Sequence, residues 1–452
     1  MITPGRPLAL GRPATFAALR HPNYRLFWTG MVVSLVGMWV QSTATSYLVW
    51  ELTRSPFATS MTALFFGLPS MALSLFGGVV ADRVDRRRLL LVTQGIFMLS
   101  AVALAGLTFS GLVRVWHIYL LALINGTVMA FDAPTRQAMI PSLVDREDLT
   151  NAIALNSAAF NGSRVIGPTI GGILYASAGP AWCFGLNAVT YPAILVALYF
   201  IRPVSAAVHR LTNPWRELRE GVEYAARTHL IRGLLLMVAL AGTFAFTYVV
   251  LMPVIASRVL GGGPRENGFL IASAGVGATI GALSVATLGT PRRPGRFMVV
   301  FGGLASAGLV TLATSRDLAL AMALIAFTAG SIMGFLSIAN STIQAYVPDA
   351  LRGRVMSIYT LALIGSGPLN ALLAGTLANA LGTPMAIAIS GALMGIAVVV
   401  IASLHRRLLT LDTVEDAPPT QALVPAPEPV STRVLEGFAT RSGPSSTNPR
   451  GL

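Results

Sequence analysis

The chain has 452 residues, 54% of them hydrophobic and only 11% charged, with a mean hydropathy of +0.68 and a net charge of +14. So much apolar surface cannot be covered by the polar side chains available, which excludes a soluble globular domain. All 32 basic residues are arginine; without lysine there is no Gly-x4-Gly-Lys-Ser/Thr phosphate loop, so the chain is not itself a P-loop ATPase. The single cysteine, Cys183, rules out intrachain disulfides and thiolate metal sites, and five scattered histidines lack ligand spacing.

Windows of about 20 apolar residues predict twelve spans, at 26–50, 57–81, 89–110, 116–138, 151–176, 181–201, 231–257, 268–289, 297–314, 319–345, 354–380 and 384–404. Residues 1–24 carry Arg6, Arg12 and Arg20 without an apolar stretch and read as a cytoplasmic arm rather than a signal peptide. On that orientation 26 arginines face the cytoplasm. Five (Arg54, Arg114, Arg258, Arg265 and Arg316) lie on the opposite side, and Arg164 lies inside a span. The bias places both termini in the cytoplasm and the chain in the cell membrane. The positive charge is then an orientation signal with attraction to anionic lipid, and no aromatic-interleaved basic module points to nucleic acid.

The chain also repeats itself. Gly126, Met129 and Phe131 match Gly330, Met333 and Phe335 at an offset of 204. Gln137 and Pro141 match Gln344 and Pro348, and Gly167-Pro168 has a counterpart in Gly367-Pro368. The expected fold is all-α and polytopic: two pseudo-symmetric six-helix bundles, 25–202 and 230–408, with a site near the midplane between them. A connector, 203–229, contains Asn213-Pro214 as a helix start. Trp215, Leu218, Val222 and Ala225 share one face of that helix, which predicts a short helix on the inner membrane surface. The tail, 409–452, is rich in Pro, Ser and Thr without periodicity and is expected to be disordered.

The loop from Gly78 through Asp82 and Arg83 to Arg86, Arg87 and Arg88 resembles the signature loop of the major facilitator superfamily, with Asp85 where many members carry glycine. Gly167-Pro168 followed by Gly171-Gly172 is similar to part of that superfamily's antiporter motif, although the upstream glycine spacing departs from it. Ala133-Pro134-Thr135-Arg136-Gln137, Arg164-Val165-Ile166-Gly167-Pro168 and Arg352-Gly353-Arg354 resemble the branch containing the enterobactin exporter and macrolide-efflux proteins. The resemblance implies a twelve-helix transporter working by alternating access, with a pathway lined by the first, fourth, seventh and tenth spans and parts of the fifth and eleventh.

Charges inside spans are costly and need partners or a job. Asp132 and Arg136 are spaced i, i+4, on a face with Asn125 and Met129; Asn161, Arg164 and Pro168 share a face of the fifth span. If the faces meet, Asp132, Arg136 and Arg164 form one buried network. Asp132 then acts either as a protonatable coupling residue or, the favoured reading, as a permanently ionised clamp that ties the fourth span to the signature-loop arginines and breaks when the transporter opens inward. Asp82 could latch onto a helix N-terminus of the other half, while Arg83, Arg86, Arg87 and Arg88 could simply anchor the loop to head groups. Gln41 and Thr45, together with Ser34 and Met38, are candidate cavity residues, as are Asn125, Met129, Asn161, Tyr248, Asn340 and Asn370. For any one of them interhelical hydrogen bonding is an equal alternative. Gly77, Gly78, Gly171 and Gly172 read as points of close helix approach.

The favoured function is secondary active export of an amphipathic small molecule (siderophore, drug or secondary metabolite) in exchange for protons, by a chain able to act as a monomer and needing no cofactor. Uptake by symport or uniport is the alternative, with a non-transporting receptor behind it. No nucleophile and base cluster at membrane depth, which argues against an enzyme.

Overall fold

The computed structural model of the protein describes residues 15–201, 214–288, 293–405 and 409. Among them every regular element is helical. The first half comprises α1 (Pro22–Thr53), α2 (Pro56–Arg83), α3 (Arg86–Phe109), α4 (Val115–Met139), α5 (Leu149–Ala178) and α6 (Pro180–Phe200). After the connector helix α7 (Pro214–Arg227) come α8 (His229–Val259), α9 (Pro264–Leu288), α10 (Pro294–Leu312), α11 (Leu318–Tyr346), α12 (Asp349–Leu381) and α13 (Thr383–Leu404). Eleven of these helices are long and apolar enough to cross a membrane. The remaining long helix, α5, has 30 residues, but Asn151, Asn156, Ser157, Asn161 and Arg164 dilute its apolar character. Several helices outrun the spans expected from hydropathy, α1 by four residues at its start, because a helix continues past the hydrocarbon while its backbone bonds remain satisfied.

Local chemistry sets the helix ends. Ser55, Asp85 and Asp317 cap α2, α3 and α11 by accepting from the amides of Ala58, Arg88 and Leu320 at 3.3, 3.1 and 2.8 Å. Gly179 (φ 90°) joins α5 to α6 and Gly382 (φ 86°) joins α12 to α13, each with proline following in the first helical turn. Only glycine takes that backbone conformation freely. The two turns are 203 residues apart, close to the offset of the sequence repeat.

Each half repeats one packing scheme. In the first, α2 packs on α4, α1 on α5 and α6, and α3 on α4 and α6; in the second, α9 packs on α11, α10 on α11 and α13, and α8 on α12 and α13. The repeat-matched glycines show why. A Cβ added at Gly126 would stand 2.0 Å from the Phe66 carbonyl oxygen of α2, and one at Gly330 would stand 2.9 Å from the Gly277 oxygen of α9. The halves meet along α2 with α12 and α5 with α9. Gly77, Gly171 and Gly172 are points of close approach as expected; Gly78 is not, since a Cβ there meets nothing within 4 Å.

The connector helix has protein neighbours. It packs on α12 and α8, with Glu220 paired to Arg354 at 2.5 Å and Gly221 against Ile358. Among the described side chains of this helix, which exclude Trp215 and Leu218, Gly221 and Ala225 are buried and Val222 is half exposed, because close approach of two helices favours small residues over larger apolar ones. The last residues of the N-terminal arm are pinned to the start of α5: Asn151 accepts from the Ala18 amide at 3.0 Å and His21 bonds Asp148 at 2.8 Å. The arm's first 14 residues, the start of the connector and nearly all of the tail lie outside the described residues.

Candidate functional site

The face bearing the α2–α3 and α4–α5 connections is rich in arginine and is called here the basic face; the other is the far face. Asp132 lies in the basic-face half of the first bundle with its side chain fully buried. Thr93 and Gln94 of α3 donate to one carboxylate oxygen at 2.8 and 2.7 Å, and Arg136, one turn on in α4, pairs with the other. All three neighbours are donors, so the arrangement satisfies a group that only accepts. An isolated charge at this depth costs roughly 2.5–3.5 kcal/mol on insertion scales, and three donors offset that cost. Arg136 also lines a small cavity with Ser34, Gln94 and Leu90.

The arginines of the α2–α3 connection cap other helices. Arg86 donates to the Ala138 carbonyl at 3.0 Å at the end of α4, and Arg87 donates to Leu198 and Tyr199 at 2.6 and 2.5 Å at the end of α6. Each fills an orphan carbonyl at the negative end of a helix, a role beyond the head-group anchoring open from sequence. Arg83 and Arg88 are exposed. The Asp82 side chain, and with it the expected latch, lies outside the described residues.

Arg164 does not join Asp132. Helix α5 packs between α1 and α9, so the Arg164 face looks toward α1, and its guanidinium carbon lies 5.9 Å from the centre of the Trp39 ring. The three-charge network expected from the helical faces is therefore a pair, Asp132 with Arg136.

The expected cavity residues divide. Gln41 is bound within the first bundle, accepting from Asn187 at 2.7 Å. Asn161 donates to Ser157 of its own helix at 2.9 Å, and Asn340 accepts from Gln344 at 2.5 Å. Met129 packs against the core of the first half, Thr45 is half-buried, and the Asn125 side-chain oxygen is buried without a partner. Asn370 and Tyr248 are both about 1% exposed and so form part of the packed interior. Asn370 has a specific task there: α8 breaks at Ala245 and Phe246, and Asn370 donates to the Thr243 carbonyl at 2.7 Å and the Thr247 hydroxyl at 3.0 Å. A broken helix inside a bundle survives only if neighbours satisfy its freed backbone groups.

The far face carries a closure that sequence reading missed. The Arg258 guanidinium lies 4.8 Å from the centre of the Trp50 ring and donates to the Arg54 carbonyl at 2.8 Å, tying α8 to the end of α1. Arg54 also sits against Trp50, at 5.9 Å, and holds a left-handed backbone (φ 51°) that costs a residue with a side chain about 1–2 kcal/mol. Within the first half, Tyr175 donates to Glu51 at the same end. From sequence these arginines were only the minority on the wrong side, and that was the available signal.

Among the described residues closure is one-sided. A single core joins Val40 to Trp50 and Tyr175 of the first half to Met252, Ile255 and Leu270 of the second, while Tyr24, Phe27, Met31, Leu90 and Leu155, toward the basic face, form a separate core within the first half. The halves approach at Ser60 with Gly375 and Gly172 with Gly268, and near mid-depth at Gly67 with Pro368 and Arg164 with Gly275.

Comparison with known proteins agrees with this architecture. The chain is 28% identical over 376 residues to the enterobactin exporter EntS of Shigella boydii serotype 18, spanning 81% of this chain and 87% of that protein. The Escherichia coli exporter is 27% identical over the same coverage. Among solved structures, a bacterial homologue of the human lysosomal transporter Spinster, inward-facing and unoccupied, superposes with a TM-score of 0.66 at 17% identity, over 89% of this chain and 99% of its own. A bacterial homologue of the iron transporter ferroportin, inward-facing, gives 0.66 at 15% identity, over 86% and 99%. The family model for transmembrane secretion effectors matches residues 13–444. With two six-helix halves closed at one face and a sequence matched almost end to end, this chain belongs to the transmembrane secretion effector family of major facilitator transporters, multi-pass membrane proteins and not enzymes.

Proposed function

We propose that the protein exports an amphipathic small molecule from the cell by alternating access, in exchange for protons. The observation that carries this reading is the one-sided closure. The halves share a core toward the far face and have separate cores toward the basic face, the packing expected of one of two alternating states. With the positive-inside rule placing the basic face in the cytoplasm, this state is open to the cell interior and ready to load an outbound molecule. The named activity of relatives 27–28% identical, enterobactin export, supports the same direction.

A gradient is the natural energy source for a chain without a lysine-bearing phosphate loop. We assign Asp132 a clamp role that differs from the expected one: the donors to its two oxygens are Arg136, Thr93 and Gln94 rather than the arginines of the α2–α3 connection. The clamp ties α3 to α4 and holds the first bundle rigid while the halves rock. In inverted vesicles, acidifying the lumen is expected to drive enterobactin or a radiolabelled macrolide into the lumen. Loss of the compound from an acidified lumen would refute export.

A further inference from the structure

Arg164 sits at the middle of α5, a 30-residue helix, and so near the membrane midplane. Among the described residues it has no carboxylate within 4 Å, and its guanidinium carbon lies 5.9 Å from the centre of the Trp39 ring of α1. The Trp39 indole N–H is itself buried without an acceptor. Phe160 meets the Trp39 ring edge-on at 6.1 Å. A guanidinium and an indole N–H thus lie on neighbouring side chains, beside aromatic rings, where no described residue within 4 Å of the guanidinium brings an acid. Both are donors only. They lie where α1 and α5 of the first half face α8 and α9 of the second, on the basic-face side of the far-face closure.

We propose that Arg164 and Trp39, flanked by Phe160, form a subsite for the acidic group of an aromatic organic anion, a carboxylate or phenolate. The guanidinium fork supplies the charge and parallel donors, the indole N–H completes the acceptor's shell, and the rings cover the flat body of the ligand. The proposal rests on the export reading for the ligand's route and on Arg164 alone for its charge.

The test is equilibrium binding of radiolabelled 2-naphthoate, and of 2-naphthamide as its uncharged counterpart, to the full chain in phosphatidylcholine nanodiscs without a gradient. The wild type is expected to bind the acid at least roughly tenfold more tightly than the amide, the scale of one hydrogen bond to a charged group. Arg164→Gln is expected to erase that preference and Arg164→Lys to retain part of it. Trp39→Phe, which keeps a ring and loses the N–H, is expected to weaken the acid severalfold and leave the amide unchanged. Equal affinities in the wild type, or an undiminished preference in Arg164→Gln, would overturn the subsite. Protection of the buried Cys183 thiol checks folding; should Arg164→Gln fail it, unchanged acid affinity in Trp39→Phe overturns the proposal instead. Replacing a third of the lipid with phosphatidylglycerol separates two sources of anion: unchanged naphthoate binding supports a soluble ligand, and its abolition assigns the site to lipid and overturns the proposal. Acid binding without energised accumulation in inverted vesicles would refute export and leave the subsite standing. Accumulation of a neutral macrolide with no acid preference would do the reverse.

Discussion

Replacing Asp132 by asparagine removes the charge and keeps the shape. The new amide oxygen can still accept from Thr93 and Gln94, while its NH2 group faces Arg136, donor against donor. Breaking a buried ion pair from one side costs about 3–5 kcal/mol, because the remaining charge is left uncompensated. Arg136 is 21% exposed and can recruit water from the basic face, which brings the expected loss to about 2–3 kcal/mol. Replacing Arg136 by glutamine in the same chain removes the stranded charge and should recover about half of that loss, about 1–1.5 kcal/mol; because Arg136→Gln alone also strands a buried charge, the coupling in the double-mutant cycle is this recovery plus the cost of that single variant. The assay is built into the protein. Cys183 is its single cysteine and is fully buried, so a fluorogenic maleimide reports unfolding as sodium dodecyl sulfate is titrated into mixed micelles. Costs that add to within about 0.5 kcal/mol, or an asparagine variant as stable as the wild type, would refute the clamp.

Three further outcomes follow from the packing. Asn370→Leu leaves the Thr243 carbonyl at the break in α8 without its donor, at a cost of about 1–3 kcal/mol; it should speed hydrogen exchange at 243–249, and unchanged exchange would sink the argument. Trp50→Ala removes the ring between Arg54 and Arg258, where each cation–π contact is worth about 0.5–1 kcal/mol. Spin labels on the far-face loops should then report a several-fold rise in the population open at that face, and an unaltered distance distribution would show that the closure rests elsewhere. Gly126→Ala places a Cβ 2.0 Å from the Phe66 oxygen and should lower the unfolding midpoint by the equivalent of about 1–3 kcal/mol, whereas Gly78→Ala, with open space around it, should not. Equal midpoints for the two variants would mean that α2 and α4 are not held at the spacing described.

How far the site was legible varies by residue. Asp132 and Arg136 were readable because four residues along one helix bring two side chains together whatever surrounds them. Arg164 shares no helix with them, and its partner depended on which neighbour α5 packs against, which periodicity does not encode. Gln41 and Asn370 were polar residues at plausible cavity positions. Their partners, Asn187 and the broken backbone at Thr243, lie 146 and 127 residues away in sequence. The minority arginines Arg54 and Arg258 looked like exceptions to a charge rule until the fold set both against Trp50.

Hydropathy, the arginine bias and the internal repeat determine the helical class, the span pattern and the division into related halves, because each follows from transfer into lipid or from local helix geometry, one segment at a time. Which halves touch at which face, where α8 breaks, and which charges find partners were decided only by tertiary packing. Those outcomes depend on contacts between different helices, many of them distant in sequence, and such contacts are selected by shape and by the requirement that each polar group in a membrane interior find a partner.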